Sequence, residues 1–334
     1  MLEKPAIAEE AIVACVQEAF GLRVREISFL PLGADMNTAV YRLVTPVRKH
    51  YFLKLRSGQF KEISVTLPRF MHEQGIHELI QPCPTISGML WAVLADYKVM
   101  LYPFINGRDA FDVPLTDAQW RQFGAALKRV HTAVLPQTVA TSIPRECFSP
   151  KWRQIVTKFM QQIPKQSFNE PVAHKMAAFL NEKQAVVSRL VAYTEQLAQL
   201  VQKRPSQHVI CHSDIHAWNI LVSHDDALYI VDWDDPIFAP KERDLMFIGA
   251  GIGNIWNTPR ERKLFYAGYG STQVDQDILA YYRAERIIQD IAVYCEQIFF
   301  SDEGGDAQNT SFHNLVSNFL PNRTIDIAMN TRRQ

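Results

Sequence analysis

One stretch of this 334-residue chain constrains the fold more than any other: His208-Val-Ile-Cys-His212-Ser-Asp214-Ile-His216-Ala-Trp-Asn219-Ile-Leu-Val222, a polar turn, then Leu228-Tyr-Ile-Val-Asp232-Trp-Asp234. A short apolar strand runs into a loop bearing an aspartate and, further on, an asparagine. Two more apolar runs follow and end on a second aspartate. Pairing 220–222 with 228–231 across Ser223–Ala227 predicts that Asn219 and Asp232 lie side by side at one end of a hairpin. A carboxylate that accepts a hydroxyl proton, with oxygen ligands that hold magnesium against nucleotide phosphates, is what phosphoryl transfer requires. The expectation is therefore Asp214 as catalytic base and Asn219 and Asp232 as metal ligands. His212 and His216 stand four apart, as zinc ligands on a helix do, but strand-like runs flank them on both sides. His212 is better read as a buried organiser of the loop.

The pattern His212-x-Asp214-x-x-x-x-Asn219 followed by Asp232 resembles the catalytic loop and metal aspartate of protein kinases. In the form His-Ser-Asp-x-His-x-x-Asn with Ile-Val-Asp-Trp-Asp it resembles the aminoglycoside phosphotransferase family, a small-molecule branch of that fold. Longer phrases, Ser149-Pro-Lys-Trp-Arg153, Ala239–Gly249 and Tyr281-Tyr-Arg-x-Glu-Arg286, are similar to family members that act on aminocyclitols. The resemblance implies an α+β, two-lobed protein-kinase-like fold. Residues 1–105 would form a small N-terminal antiparallel sheet lobe that binds nucleotide, and 106–334 a larger, mostly helical C-terminal lobe for catalysis and acceptor. The implied activity is O-phosphorylation of an aminocyclitol or aminoglycoside antibiotic of the spectinomycin type, with ATP (GTP possible) and Mg2+, conferring resistance. Two alternatives stand beside it: a kinase of another small hydroxylated metabolite such as choline, homoserine or a sugar, and a nucleotide-binding regulator without catalysis. Trp218 departs from the family, in which a small residue usually precedes the asparagine.

Before this region, Ile7–Phe20 has helical spacing and stops at Gly21; strands are expected over 24–31, 39–43, 51–55, 89–94 and 98–105. The resemblance places the hairpin tip Leu32–Asn37, with Gly33 and Asn37, over the phosphates, although Asp35 sits awkwardly there. It makes Lys54 the residue that grips the α- and β-phosphates. Glu62 would orient Lys54, with Glu73 as the alternative. Pro103 C=O and Ile105 N–H would meet the adenine edge. Asp234, Glu242, Trp256 and Glu285 would line the acceptor cleft, and Asp244 would bond the catalytic-loop backbone. Thr116-x-x-Gln119 reads as a capping box, Ser149-Pro150 as a helix start and 172–203 as one long helix. Arg283, Glu285, Arg286 and Asp290 read as a solvated charged face, and 301–309 as a loop.

Composition narrows the partners. Lys plus Arg equals Asp plus Glu at 35 each, which gives no electrostatic bias toward nucleic acid. Five scattered cysteines without a Cys-x-x-Cys pair fit a reducing compartment rather than a disulfide framework or a structural zinc. The apolar run near 245–255 is far short of the roughly 20 residues that span a bilayer. The expectation is a cytoplasmic protein, a monomer or weak dimer, whose partner is a small molecule.

Overall fold

The computed structural model describes residues 4–33, 37–166, 168–300 and 306–333. In chain order the elements are α1 (Glu9–Phe20), β1 (Glu26–Leu30), β2 (Thr38–Val44), β3 (His50–Arg56), α2 (Ile63–Glu73), β4 (Ala92–Leu94), β5 (Tyr97–Pro103), β6 (Gly107–Asp109), α3 (Asp117–Thr132), the single turn α4 (Gln137–Ala140), α5 (Lys151–Gln162), α6 (Pro171–Glu182), α7 (Gln184–Val201), β7 (His208–Cys211), β8 (Ile220–Ser223), β9 (Leu228–Ile230), β10 (Ile237–Pro240), the single turn α8 (Glu242–Leu245), α9 (Pro259–Tyr269), α10 (Gln276–Phe299), α11 (Asp306–Ser317) and α12 (Thr324–Asn330). They form two compact units: a sheet unit of 1–114, 133–143 and 217–236, and a helical unit of 115–132, 144–216 and 237–334.

In the sheet unit, five antiparallel strands run in the order β1-β2-β3-β5-β4. Alternation decides which face each side chain takes. Tyr51, Leu53 and Leu55 of β3 are buried with Tyr41, Leu43, Val99 and Leu101 against Ile12 and Val16 of α1. Phe52, Lys54 and Arg56 therefore occupy the opposite face. Gly21 ends α1 at φ 66, a left-handed conformation in which its N–H donates to Gln17 O at 3.1 Å. A second, three-stranded sheet runs β6-β8-β9. Ile230 N–H also donates to Glu78 O at 2.7 Å. These ladders tie the metal-candidate hairpin to the N-terminal strands. The expected single cut after Ile105 thus differs from the contact division, because β6 cannot be separated from its partner β8.

In the helical unit the capping box on α3 forms as read: Gln119 N–H donates to Thr116 Oγ1 at 3.2 Å and Thr116 N–H to Gln119 Oε1 at 3.0 Å. The helix expected over 172–203 breaks at Lys183 (φ −88, ψ 6) into α6 and α7. The core gathers Val156, Met176, Leu180, Val187, Leu190, Ile287, Ile288, Ile291 and Leu315. Helices α3 and α9 meet backbone to backbone: a Cβ on Gly124 would fall 2.1 Å from Phe265 O, and one on Gly268 1.8 Å from Arg121 O. Residues 306–309, expected in a loop, open α11; 301–305 lie outside the described residues. No helix among the described residues is long and apolar enough to cross a membrane.

Candidate active site

The expected hairpin forms in the expected register. Ile220 pairs with Ile230, Leu221 with Tyr229 and Val222 with Leu228, and Val231 N–H donates to Asn219 O at 3.0 Å. Asn219 and Asp232 thereby start and end the same ladder, within the sheet unit. Asp232 takes φ 65, in the left-handed region that a non-glycine residue adopts only under constraint. The buried Trp233 supplies that constraint on its far side, its indole N–H donating to Ile230 O at 3.2 Å.

Lys54 projects from β3 to these carboxylates. Its Nζ lies 2.8 and 2.7 Å from the two oxygens of Asp234 and 3.1 Å from Asp232 Oδ1. Burial would lower the Lys54 ammonium pKa, but Asp232 and Asp234 outweigh it and raise it. Arg56, two residues along the same face, reaches Asp234 Oδ2 at 3.1 Å and Thr38 Oγ1 at 3.2 Å. Asp234, expected in an acceptor cleft, is instead the carboxylate that meets Lys54 through both oxygens. Glu62 does not hold that place: it is exposed at the start of α2, where its carbonyl accepts from Val65 and Thr66 N–H. Glu73 pairs with Arg69 at 2.9 Å. Gly33 has φ 93, and Asn37 O accepts from Ser57 N–H at 2.8 Å, extending the β2–β3 ladder by one pair; Asp35 lies outside the described residues. Pro103 is exposed at the end of β5, opposite Tyr51, and Ile105 follows half-buried before β6.

The unit boundary falls after His216, so Asp214 belongs to the helical unit. There β7 pairs with β10 and delivers the loop His212-Ser-Asp214 over a fully buried carboxylate. Asp244 accepts from His212 N–H at 2.9 Å and Ser213 N–H at 2.7 Å, as its expected role requires. His131 Nε2 stands 3.0 Å from Asp244 and its Nδ1 2.8 Å from Tyr269 OH. Since a carboxylate accepts, His131 Nε2–H is the donor to Asp244. His212 Nδ1 accepts from Asp214 N–H at 3.2 Å, the organising role expected of it. Ser213 takes φ 74, so the loop is held strained directly before Asp214.

Asp214 itself is flanked by Arg286 at Oδ1 and by His216 Nε2 at 3.4 Å from Oδ2. Burial would raise its carboxyl pKa, but the Arg286 guanidinium and His216 outweigh burial and hold it well below the usual carboxylate range.

The remaining acceptor candidates sit elsewhere. Trp256 is 5% exposed, packed on Trp120 and Phe123 at 5.1 and 5.6 Å, a core position. Glu242 is buried, accepting from Asp275 N–H and paired with Lys241. Glu285 is buried against Arg153 at 2.5 Å; burial outweighs that pairing and pushes its carboxyl up to about 7. The expected solvated face of α10 is thus an interior one. Arg56 was legible as Lys54's neighbour on an alternating strand. Arg286 and Asp290 were legible as an i,i+4 pair.

An antiparallel sheet unit carrying a lysine paired with two aspartates, and a helical unit carrying a pinned Asp-bearing loop, define a protein-kinase-like phosphotransferase. The family model for the phosphotransferase enzyme family (APH) matches residues 28–284, and the chain belongs to that family. It is 38% identical to a spectinomycin phosphotransferase solved in complex with ADP and spectinomycin, with TM-score 0.92 over 99% of this chain and 100% of that one. An AMP-bound complex of spectinomycin phosphotransferase gives TM-score 0.86 at 37% identity over 97% of this chain and 99% of that chain. Protein StrN of Streptomyces griseus is 23% identical over 338 residues, 96% of each chain.

Proposed function

We propose that the chain transfers the γ-phosphoryl group of ATP to a hydroxyl of an aminocyclitol antibiotic of the spectinomycin type, and that this modification confers resistance in the cytoplasm. The observation that carries the reading is its full-length similarity, at 38% identity, to an enzyme whose complex holds ADP and spectinomycin. The donor chemistry agrees. Asn219 and Asp232 offer hard oxygen ligands of the kind Mg2+ prefers, and the Asp232 side chain is 48% exposed, so it can exchange Lys54 for a cation. Bound there, Mg2+ would neutralise charge on the phosphates. Lys54, aimed by Asp234, supports the phosphate oxygens. Asp214 orients the acceptor hydroxyl and accepts its proton as the bond to phosphorus forms. Little covalent work falls to the protein, so positioning accounts for most of the acceleration.

One observation favours a different acceptor for the same chemistry. Trp218 is 39% exposed and stacks on Phe111 at 4.1 Å and 20°, a broad apolar plate directly before Asn219. Mass measurement of products after incubation with MgATP and a panel of aminocyclitols, aminoglycosides, choline and homoserine separates the readings. Gain of one phosphate on spectinomycin alone supports the first. Phosphate on choline or homoserine, with none on any aminocyclitol, removes it.

A further inference from the structure

Arg286 of α10 is a cation of the helical unit that the proposed reaction does not use. Its place is fixed by the helix itself: Ile287, Ile288 and Ile291 are fully buried in the core, which turns 286 and 290 together toward the catalytic loop. The guanidinium is then held from two sides before it meets anything else. Its Nε donates to Asp290 Oδ1 at 2.8 Å, and its plane lies over the Phe247 ring with the central carbon 5.5 Å from the centroid. That leaves Nη1 aimed at Asp214 Oδ1. Phe247, 2% exposed, also meets the His216 ring edge-on at 6.2 Å. One buried aromatic ring therefore braces both neighbours of the Asp214 carboxylate.

We propose that Arg286, anchored by Asp290 and Phe247, is a positioning residue that fixes the rotamer of Asp214 and sets a permanent positive charge against its carboxyl group. The inference rests on Asp214 being the base of the proposed reaction. A planar, always-charged fork sets direction as well as charge, which a lysine ammonium does not. Phosphoryl transfer through a loose transition state takes the hydroxyl proton late, so an ionised oxygen in a fixed place matters more than a strong base. The charged or titratable groups acting on Asp214 are His216 from its own loop and Arg286, Asp290 and Tyr294 from α10. Of these, Arg286 and His216 favour the carboxylate form while burial opposes it; Asp290 is a like charge beyond the guanidinium, and the Tyr294 phenol, raised by burial, is a neutral neighbour. Without Arg286, His216 alone would offset burial.

The test compares Arg286→Gln, Arg286→Lys and Asp290→Asn with the wild type, in the full chain. The first readout is kcat and KM against pH. The second is a carbon-13 carboxylate titration of Asp214, assigned by its loss in Asp214→Asn. Arg286→Gln should lower kcat about tenfold or more while leaving KM for ATP within about twofold, since Lys54 and Asp232 are untouched. It should also bring an acid limb into kcat/KM at least about one pH unit above that of the wild type, because protonating the base abolishes its function. Arg286→Lys should keep the acid limb near its wild-type position and recover only part of kcat. Asp290→Asn should lower kcat less than Arg286→Gln. An unchanged Asp214 titration in Arg286→Gln overturns the proposal, as does a loss of activity that follows melting temperature at every pH with the profile unmoved. The carbon titration needs no acceptor, so an enzyme that phosphorylates nothing in the panel sinks the proposed function while the Asp214–Arg286 coupling is still read directly.

Discussion

The two units hold carboxylates of similar exposure by different means. In the sheet unit, Asp232 and Asp234 keep 48% and 28% side-chain exposure and share Lys54 and Arg56. In the helical unit, the Asp214 side chain is 41% exposed, but it stands on a loop whose backbone is held by Asp244 at 0% exposure, itself bonded by His131 at 2%. Partly exposed ion pairs change partners at small cost, whereas breaking a buried, fully bonded network leaves a charge without compensation. The difference suits the proposed labour. Groups that must release a lysine and take a metal and phosphates are accessible, while the group that must stay put is set by buried neighbours.

Substitutions can break or sharpen that contrast. The largest effect is expected from Asp214→Asn, which should lower turnover by on the order of a hundredfold or more with nucleotide affinity nearly intact, read by steady-state kinetics and titration calorimetry. Trp256→Ala should cost about 3–5 kcal/mol of stability by denaturant unfolding, the range for a deleted core aromatic, with KM for the acceptor little changed in the folded fraction. An unchanged midpoint with a raised acceptor KM would return Trp256 to the cleft. Lys54→Ala, in the other unit, should raise KM for ATP about tenfold to a hundredfold, the equivalent of a lost hydrogen bond to a charged group at about 1.5–3 kcal/mol. The smallest effects separate two carboxylates: Asp234→Asn should raise KM for ATP severalfold, and Glu62→Gln should leave it within about twofold. A reversal of those two would show that α2 orients Lys54.

Local order explains which parts of this were legible. The β8–β9 register follows from alternation and a short polar turn, so Asn219 and Asp232 could be brought together on paper. Lys54 could be singled out only beside the catalytic loop and the resemblance, since a lone strand lysine also reads as an edge residue facing water. Its partner could not, since Asp234 is 180 positions away and only tertiary structure joins them. Helix α10 misled for a related reason. Ile278 through Glu285 are all buried, so no apolar stripe distinguishes an inner face, and Arg283, Glu285 and Arg286 look like solvated charges. Trp256, Glu242 and Glu285 rested on resemblance alone, and the fold occupies them in packing and buried pairs. The break at Lys183 carries no glycine or proline to announce it.

The division of labour is tested most directly by Mg2+-dependent ATP binding to Asp214→Asn and Asp232→Asn, measured beside single-turnover phosphoryl transfer. Asp214→Asn should bind MgATP as the wild type does yet transfer at least about a hundredfold more slowly, whereas Asp232→Asn should lose the Mg2+-dependent part of binding. Equal weakening of MgATP binding in both variants, or full Mg2+ dependence surviving in Asp232→Asn, would contradict it.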